Sequence, residues 1–206
     1  MLNEAQVLPR AFFERPAWQA APELVGCQLV RELGGQRLRV LITEAEAYQG
    51  MEDQACHARG GKTKRNAVMF GPPGHAYVYF TYGMHWMLNL VCEAERFPAA
   101  VLVRAVHPLE GHEMLAQNRP HLAGQRAWLD GPAKLTHALA IDRALNGTDA
   151  CDPGSGLFIA SGIHFSSKDL IPGPRVGLGK TPEPWLSMPW RWRLSPQALH
   201  AALGTV

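Results

Sequence analysis

The stretch AYVYFTYGMHWMLN, residues 76–89, predicts a β-hairpin whose tip carries aromatic side chains. Because side chains alternate along a strand, one face holds Tyr77, Tyr79 and Thr81 and the other holds Val78, Phe80 and Tyr82. Gly83 is the natural point at which the chain reverses. Tyr82 stands next to that turn, so its ring is expected to point to solvent or to a partner.

The rest of the chain shows short apolar strands and separate helical segments. Strands are predicted at 37–48, 75–82, 85–92, 99–106, 156–162 and 190–194, and helices at 22–33, 111–118 and 132–141. Gly34 and Gly35 are expected to end the first helix. Proline and glycine are dispersed as turns and mark no boundary, so residues 1–206 are expected to form a single domain. This order of elements predicts an α+β fold with a largely antiparallel, curved sheet, surrounding helices and a protruding β-hairpin.

The composition argues against metal and disulfide frameworks. With 206 residues, of which 47% are hydrophobic, the chain can bury roughly 70% of its unfolded surface without such support. The four cysteines show no CxxC spacing and are expected to be reduced thiols: Cys27, Cys56, Cys92 and Cys151. Four histidines lack the spacing of a zinc site: His107, His112, His121 and His137. We therefore expect neither a metal nor a cofactor.

The N-terminus and the hydropathy pattern argue against export and membrane insertion. Residues 1–13, MLNEAQVLPRAFF, contain an early glutamate and no long apolar core, and no run approaches the ~20 apolar residues of a membrane span. We expect a cytoplasmic protein without a signal peptide, associated with the nucleoid in a prokaryote. No patch demands an oligomer, so a monomer is expected.

Basic charge is concentrated beside the aromatic hairpin. The net charge is only +2, but no acidic residue occurs between Asp53 and Glu93. That interval contains the segment HARGGKTKRN with four cations: Arg59, Lys62, Lys64 and Arg65. Basic charge interleaved with aromatic rings is typical of surfaces that bind a phosphate backbone, although a solvated loop would give the same pattern.

The strand segment ITEAEAY contains the candidate acid or base residues. Alternation places Glu44, Glu46 and Tyr48 on one face, with only alanines between them. Solvated glutamates on a surface strand would explain this pattern as well. Two carboxylates about 7 Å apart on one strand face could also act as the acid and base pair of a sugar or nucleoside hydrolase. The pattern alone leaves these alternatives open.

Several segments resemble, in the same order, the alkyladenine (3-methyladenine) DNA glycosylase family. They are TEAEAY, EDQACHARGG, KRNAVMF, PPGHAYVYFTYGMHWMLN, VLVRA, PLEG, GPAKLTHALAI and PRVGLG, within about residues 20–195. The resemblance implies a monofunctional, metal-independent base-excision repair enzyme with one mixed α/β domain. Its partner would be double-stranded DNA containing damaged purines, which are alkylated and in some cases deaminated or etheno-modified, and its product would be an abasic site.

The resemblance also implies roles for positions near the acidic strand. Glu46 would be the general base that activates the attacking water, and Glu44 would support it. Arg104 and the carbonyl of Val176 would be the other two contacts of that water. Four residues would surround the extruded base: Tyr48, His57 and Tyr79 as an aromatic pocket, and Asn89 as the side chain that crowds the exocyclic amino group of guanine.

The remaining implied roles concern DNA. Tyr82 would enter the minor groove and fill the space left by the flipped nucleotide, with Gly83 and Met84 beside it at the hairpin tip. The basic segment would contact the backbone through Arg59, Lys62, Lys64 and Arg65. A non-catalytic reader of damaged DNA is the other alternative, because a reader needs the hairpin and the cations but has no use for Glu46.

Overall fold

A single antiparallel sheet organises the part of the chain that the structure, a computed structural model, describes: residues 5–120 and 127–204. Its strands are β1 (Gln28–Leu33), β2 (Gln36–Gln49), β3 (Ala76–Thr81), β4 (His85–Cys92), β5 (Ala99–Glu110), β6 (Leu157–Ala160), β7 (Leu170–Gly173) and β8 (Arg191–Leu194). The strand order is β3-β4-β5-β2-β1-β6, and β8 pairs with both β2 and β7. Its helices are α1 (Ala17–Leu24), α2 (His112–Asn118), α3 (Pro132–Ala138) and α4 (Pro196–Leu203). The predicted α+β fold is confirmed.

The long strand β2 is the centre of the sheet. Its first half pairs with β1 on one edge, and β5 pairs along the other edge from Arg39 to Gln49. Where β1 ends, β8 takes its place beside residues 44–46. The acidic segment of β2 therefore lies between two strands, each of which carries arginine.

The predicted helix at 22–33 is wrong after its first three residues. The helix ends at Leu24, and residues 28–33 form β1 between β2 and β6. Gly26 has φ +98°, and a Cβ there would lie 2.2 Å from the carbonyl oxygen of Ile163, so the chain leaves the helix at this point. Gly34 and Gly35 form the turn of the β1–β2 hairpin, both with positive φ, and do not end a helix. A run of apolar residues this short does not distinguish a helix from a buried strand.

The hydrophobic core lies between the sheet and the helices. Helix α1 packs on β2 and β5, and α3 packs on β4 and β5. A second, smaller cluster lies under the segment that precedes the hairpin: Cys56, Ala58, Met69, Tyr77, Val91 and Ala100. Tyr48 and Tyr79 pack against this cluster, which therefore supports the aromatic side chains of the predicted pocket.

Two further expectations concern the cysteines and the membrane. All four cysteines are free thiols, as predicted. Within residues 5–120 and 127–204, none of the helices has the length and apolar character needed to cross a membrane. His121, which the sequence left without a metal-site spacing, lies outside the described residues.

Candidate active site

Glu46 is fully buried and its carboxylate is surrounded by donors. Oε1 accepts a hydrogen bond of 2.7 Å from the backbone amide of Val176, and Oε2 accepts one of 2.9 Å from the hydroxyl of Tyr48. Nε of Arg104 lies 3.3 Å from Oε1. The alternative that Glu46 is a solvated glutamate on a surface strand is therefore wrong, because its carboxylate is buried and three donors lie around it.

Irregular pairing between β2 and β5 brings these groups together. The register shifts twice around Glu44, so that Glu44 opposes Ala105 while Ala45 opposes Val103. Arg104 is thus left without a partner on β2. Bulges of this kind bend a strand and redirect side chains, and here the result is that the Arg104 guanidinium reaches both carboxylates.

Glu44 is held by two arginines on the other side of this network. Its Oε1 lies 3.1 Å from Nε of Arg104 and 3.1 Å from Nη1 of Arg191. Glu44 is 5% exposed and borders a cavity that is different from the one that Tyr48 and Val176 line. The two carboxylates therefore do not face a common cavity, which disfavours a hydrolase that uses them as an acid and base pair.

Burial raises the pKa of the Glu46 carboxyl above its ordinary value. The positive charge of Arg104, the Val176 amide and the Tyr48 hydroxyl oppose this shift, because each stabilises the ionised form, while the charge of Glu44 adds to it. A carboxyl whose pKa is raised towards neutral pH is better suited to accept a proton during a reaction than an ordinary surface glutamate.

A cavity of about 300 Å³ is lined by all four predicted pocket residues and by the three residues that contact the Glu46 carboxylate. The lining includes Tyr48, His57, Tyr77, Tyr79, Asn89, Arg104 and Val176. This volume lies at the lower end of the range for small-molecule pockets, which is roughly 300–1,000 Å³. The ring centroids of His57 and Tyr79 are 4.5 Å apart in an edge-to-face arrangement, and those of Tyr77 and Tyr79 are 5.3 Å apart. The cavity is suited to one flat aromatic group.

The segment that carries His57 is braced from within. The side chain of Asn66, 2% exposed, donates to the carbonyls of His57 and Gly61 and accepts from the amide of Thr63. Nδ1 of His57 lies 3.2 Å from the hydroxyl of Tyr77. His57 reaches the surface, but partial desolvation by the groups around it lowers its pKa to about 4, and the nearby charges of two arginines act in the same direction. The imidazole is therefore neutral at pH 7.

Asn89 lies on the floor of the cavity, where its amide has limited freedom. The residue is buried, and Nδ2 donates to the carbonyl of Tyr77 across the β3–β4 ladder over 3.1 Å. One side-chain hydrogen bond to the backbone fixes the amide where it borders the cavity.

The hairpin tip is exposed as the sequence predicted. Tyr82 is 78% exposed and Met84 is 66% exposed. Tyr82 and Gly83 both have positive φ, 52° and 67°, and Tyr82 also borders the mouth of the cavity. A non-glycine residue rarely adopts this conformation, so the turn presents the Tyr82 ring at some conformational cost.

The four predicted cationic residues differ in what they contact. Arg59, Lys62, Lys64 and Arg65 are all exposed. The guanidinium of Arg65 lies 5.1 Å from the ring centroid of Tyr79 and donates to the carbonyl of Phe80. Lys62 lies 5.8 Å from the ring of Phe70. Arg65 is thus the cation that the structure places directly beside the pocket.

Four site residues were missed by the sequence-based reasoning. Tyr77 shares a strand face with Tyr79, so alternation alone could have assigned it to the pocket. Arg191 lies in the stretch after Glu183, which contains no acidic residue, and this basic character could have drawn attention to it. Asp53 and Arg175 are paired in the interior across a long sequence separation, and no local pattern reveals that pairing. In the described residues, no group of three or more His, Cys, Asp or Glu side chains is arranged to hold a metal ion.

The chain is similar to known proteins over most of its length. A family model described as methylpurine-DNA glycosylase matches residues 11–198. A protein of Methanocella arvoryzae named "Putative 3-methyladenine DNA glycosylase" is 47% identical over 186 residues, which cover 90% of this chain and 91% of that protein. A protein with the same name from Carboxydothermus hydrogenoformans is 48% identical, and the match covers 84% of this chain and 88% of that protein. Another, from Streptomyces avermitilis, is 46% identical, and the match covers 83% of this chain and 81% of that protein.

Proposed function

Because the chain belongs to the methylpurine-DNA glycosylase family, we propose that it is a DNA repair glycosylase that removes damaged purines from duplex DNA by hydrolysis. The proposed enzyme is monofunctional: it breaks the N-glycosidic bond, leaves an abasic site and does not cut the strand. It acts as a monomer and uses no metal. The single observation that carries the proposal is a buried carboxylate, Glu46, whose three contacting residues line a cavity of the size and aromatic character of one base.

Access to the glycosidic bond requires that the nucleotide leaves the duplex. Flipping costs a few kcal/mol, and less for a damaged or mispaired base, so selectivity begins with this step. We assign the Tyr82 ring to the space vacated in the stack, because an inserted side chain offsets part of the cost of unstacking. The exposed cations around the pocket opening supply the contacts to phosphates.

The pocket favours a modified purine over a normal one. An alkylated, cationic purine stacks well on electron-rich rings such as those of Tyr48 and Tyr79. The neutral state of His57 adds no repulsion to a cationic base. Guanine carries an exocyclic amino group that meets the amide of Asn89, so the unmodified base is disfavoured by shape.

Hydrolysis breaks the bond between the base and the sugar and adds the oxygen of a water molecule to the sugar. As the C1′–N bond of a cationic, alkylated purine breaks, its electron pair leaves with the base, which departs as a neutral molecule, and positive charge develops on the sugar. The Glu46 carboxylate stabilises this charge and takes a proton from the attacking water, whose oxygen forms the new bond to C1′. Arg104 and Val176 border the cavity beside Glu46, and we assign them to holding that water.

Single-turnover base release tests this proposal. Duplex oligonucleotides with one hypoxanthine, ethenoadenine or alkylated purine are mixed with excess protein, and the parent is compared with Glu46→Gln. Proton transfer by a positioned side chain contributes about 10²–10⁴ in rate, so the variant should lose at least about 100-fold in release while it still binds the lesion. Glu23→Gln, on the exposed end of α1, is the matched control.

Three results would contradict the proposal. Release at the parent rate by Glu46→Gln would remove the assignment of the general base. Binding of lesion DNA without release by either protein would identify a non-catalytic reader. A covalent adduct trapped by borohydride would show a lysine nucleophile and would contradict the hydrolytic mechanism.

A further inference from the structure

Arg175 and Asp53 form a fully buried ion pair behind the candidate site. Nη1 of Arg175 lies 2.5 Å from Oδ2 of Asp53, and Nη2 lies 2.9 Å from Oδ1, so the contact is bidentate. Both side chains are inaccessible to solvent. Asp53 also accepts hydrogen bonds from the amides of Gln49 and Ala55. The carboxylate is thus fixed to the segment that follows β2.

The same guanidinium is attached to the strand that carries Glu46. Nη1 of Arg175 donates to the carbonyl of Ala47 over 2.9 Å. Its guanidinium carbon lies 4.8 Å from the ring centroid of Tyr48 and 5.2 Å from that of Trp190. Arg175 therefore contacts the backbone of the residue after Glu46 and the ring of the tyrosine that donates to Glu46.

The residue after Arg175 supplies a direct donor to the carboxylate. The amide of Val176 donates to Oε1 of Glu46, yet Val176 itself is 49% exposed and lies in a segment without regular secondary structure. An exposed loop does not by itself hold an amide in a fixed place. Burial of the preceding side chain provides the missing anchor, because the Arg175 fork can adopt few positions against Asp53 and Ala47.

We propose that Arg175 and Asp53 are a positioning pair that holds the Val176 amide on Glu46 and so fixes the orientation of the general base. This inference rests on the proposed function for its catalytic meaning. Neither residue of the pair touches substrate. Their effect passes through a single backbone hydrogen bond and through the ring of Tyr48.

The test uses two variants that keep the shape of the pair. Arg175→Lys keeps the positive charge but loses the bidentate geometry, and Asp53→Asn keeps the size but loses the negative charge. Arg10→Lys is the matched control, because Arg10 forms another arginine–aspartate contact, with Asp149, whose residues do not line the pocket. Each variant is examined for thermal unfolding, affinity for hypoxanthine duplex, and single-turnover release between pH 5 and pH 9.

The Glu46 carboxyl gives a readout that does not depend on activity. Its titration is followed by carbon-13 NMR in the free protein, and Glu46→Gln provides the assignment. Loss of a hydrogen bond to the ionised form raises a carboxyl pKa, so Arg175→Lys and Asp53→Asn should move this titration upward. Arg104, Tyr48 and Glu44 also face Glu46 and are unchanged in these variants.

We expect release at pH 7 to slow by about 10–100-fold, since a small misplacement of a catalytic group has effects of this size. The affinity for lesion DNA should change by less than about 3-fold, which is a small free energy. An unmoved Glu46 titration in folded variants would overturn the proposal, and so would failure of both variants to fold, since the pair would then only support the fold. Failure of the proposed function would appear separately, as no base release by the parent protein.

Discussion

Nε of Arg104 lies 3.3 Å from Oε1 of Glu46 inside the protein. An opposite charge at this distance favours the ionised carboxylate and counteracts the effect of burial on its pKa. A general base must be ionised to act, so release should increase with pH as Glu46 loses its proton. The acid limb of the pH profile should lie above the ordinary glutamate pKa.

Arg104→Gln should move that acid limb to higher pH, because the guanidinium charge no longer stabilises the carboxylate. The loss of rate should be larger at pH 6 than at pH 8. Single-turnover release across this range measures both effects. Arg39→Gln, which removes an arginine from a surface ion pair with Glu110, is the control and should leave the profile unchanged. A uniform loss at every pH would contradict the electrostatic explanation.

The second prediction concerns the Tyr82 ring at the hairpin tip. Tyr82→Asn removes the ring but keeps a residue type that tolerates positive φ, so the turn should persist and the melting temperature should hardly change. Stacking of an aromatic ring on bases is worth about 1–3 kcal/mol, so the affinity for lesion duplex should fall by about 5–150-fold. Fluorescence anisotropy measures this.

Tyr82→Phe provides the comparison at the same position. It keeps the ring and should bind lesion duplex nearly as well as the parent. If the asparagine and phenylalanine variants bind equally well, Tyr82 is an ordinary surface residue and another side chain fills the vacated stack.

Local patterns predicted those parts of the fold that local physics decides. Alternation gave the β3–β4 hairpin and placed Glu44 and Glu46 on one face, because a strand has a side-chain period of two. The apolar pattern of residues 22–33 also predicted a helix. In the structure Gly26 lies close to Ile163, and residues 28–33 pair with the sheet. No pattern within that segment predicts this contact.

The chemistry of the site depends on contacts that the sequence does not display. Arg175 and Asp53 are 122 positions apart, and only the fold brings them together. Arg104 reaches Glu46 because the β2–β5 pairing is irregular, and periodicity cannot locate a bulge. Sequence resemblance supplied Glu46 and Arg104 as candidates, whereas the structure supplies the reason why they can act on each other.

Asn66 provides a prediction about the scaffold of the pocket. Its buried side chain makes three hydrogen bonds to the backbone of the segment that carries His57. Asn66→Ala leaves these backbone groups without partners, so the free energy of unfolding should fall by about 1–3 kcal/mol. Urea unfolding measures this, with Asn118→Ala, which removes one such bond at the end of α2, as the control. Equal losses of unfolding free energy in the two variants would show that Asn66 contributes no more to stability than Asn118 does.

The protonation state of His57 gives the last prediction. Its folded-state pKa is lowered to about 4, first by burial and then by the charges of Arg65 and Arg59. Between pH 4 and the ordinary histidine value of about 6.5, the unfolded chain therefore binds more protons than the folded protein. His57 thus makes folding less favourable as the pH falls through this window, and His57→Gln should weaken that dependence.

Two-dimensional NMR of the histidine ring nitrogens measures this protonation directly, and the His57→Gln spectrum identifies the signal. We expect a neutral imidazole at pH 5.5. Arg65→Gln should raise the pKa of His57, because one of the neighbouring positive charges is removed. A titration midpoint at or above 6.5 in the parent protein would contradict the prediction, and it would place a positive charge against any cationic purine that entered the pocket.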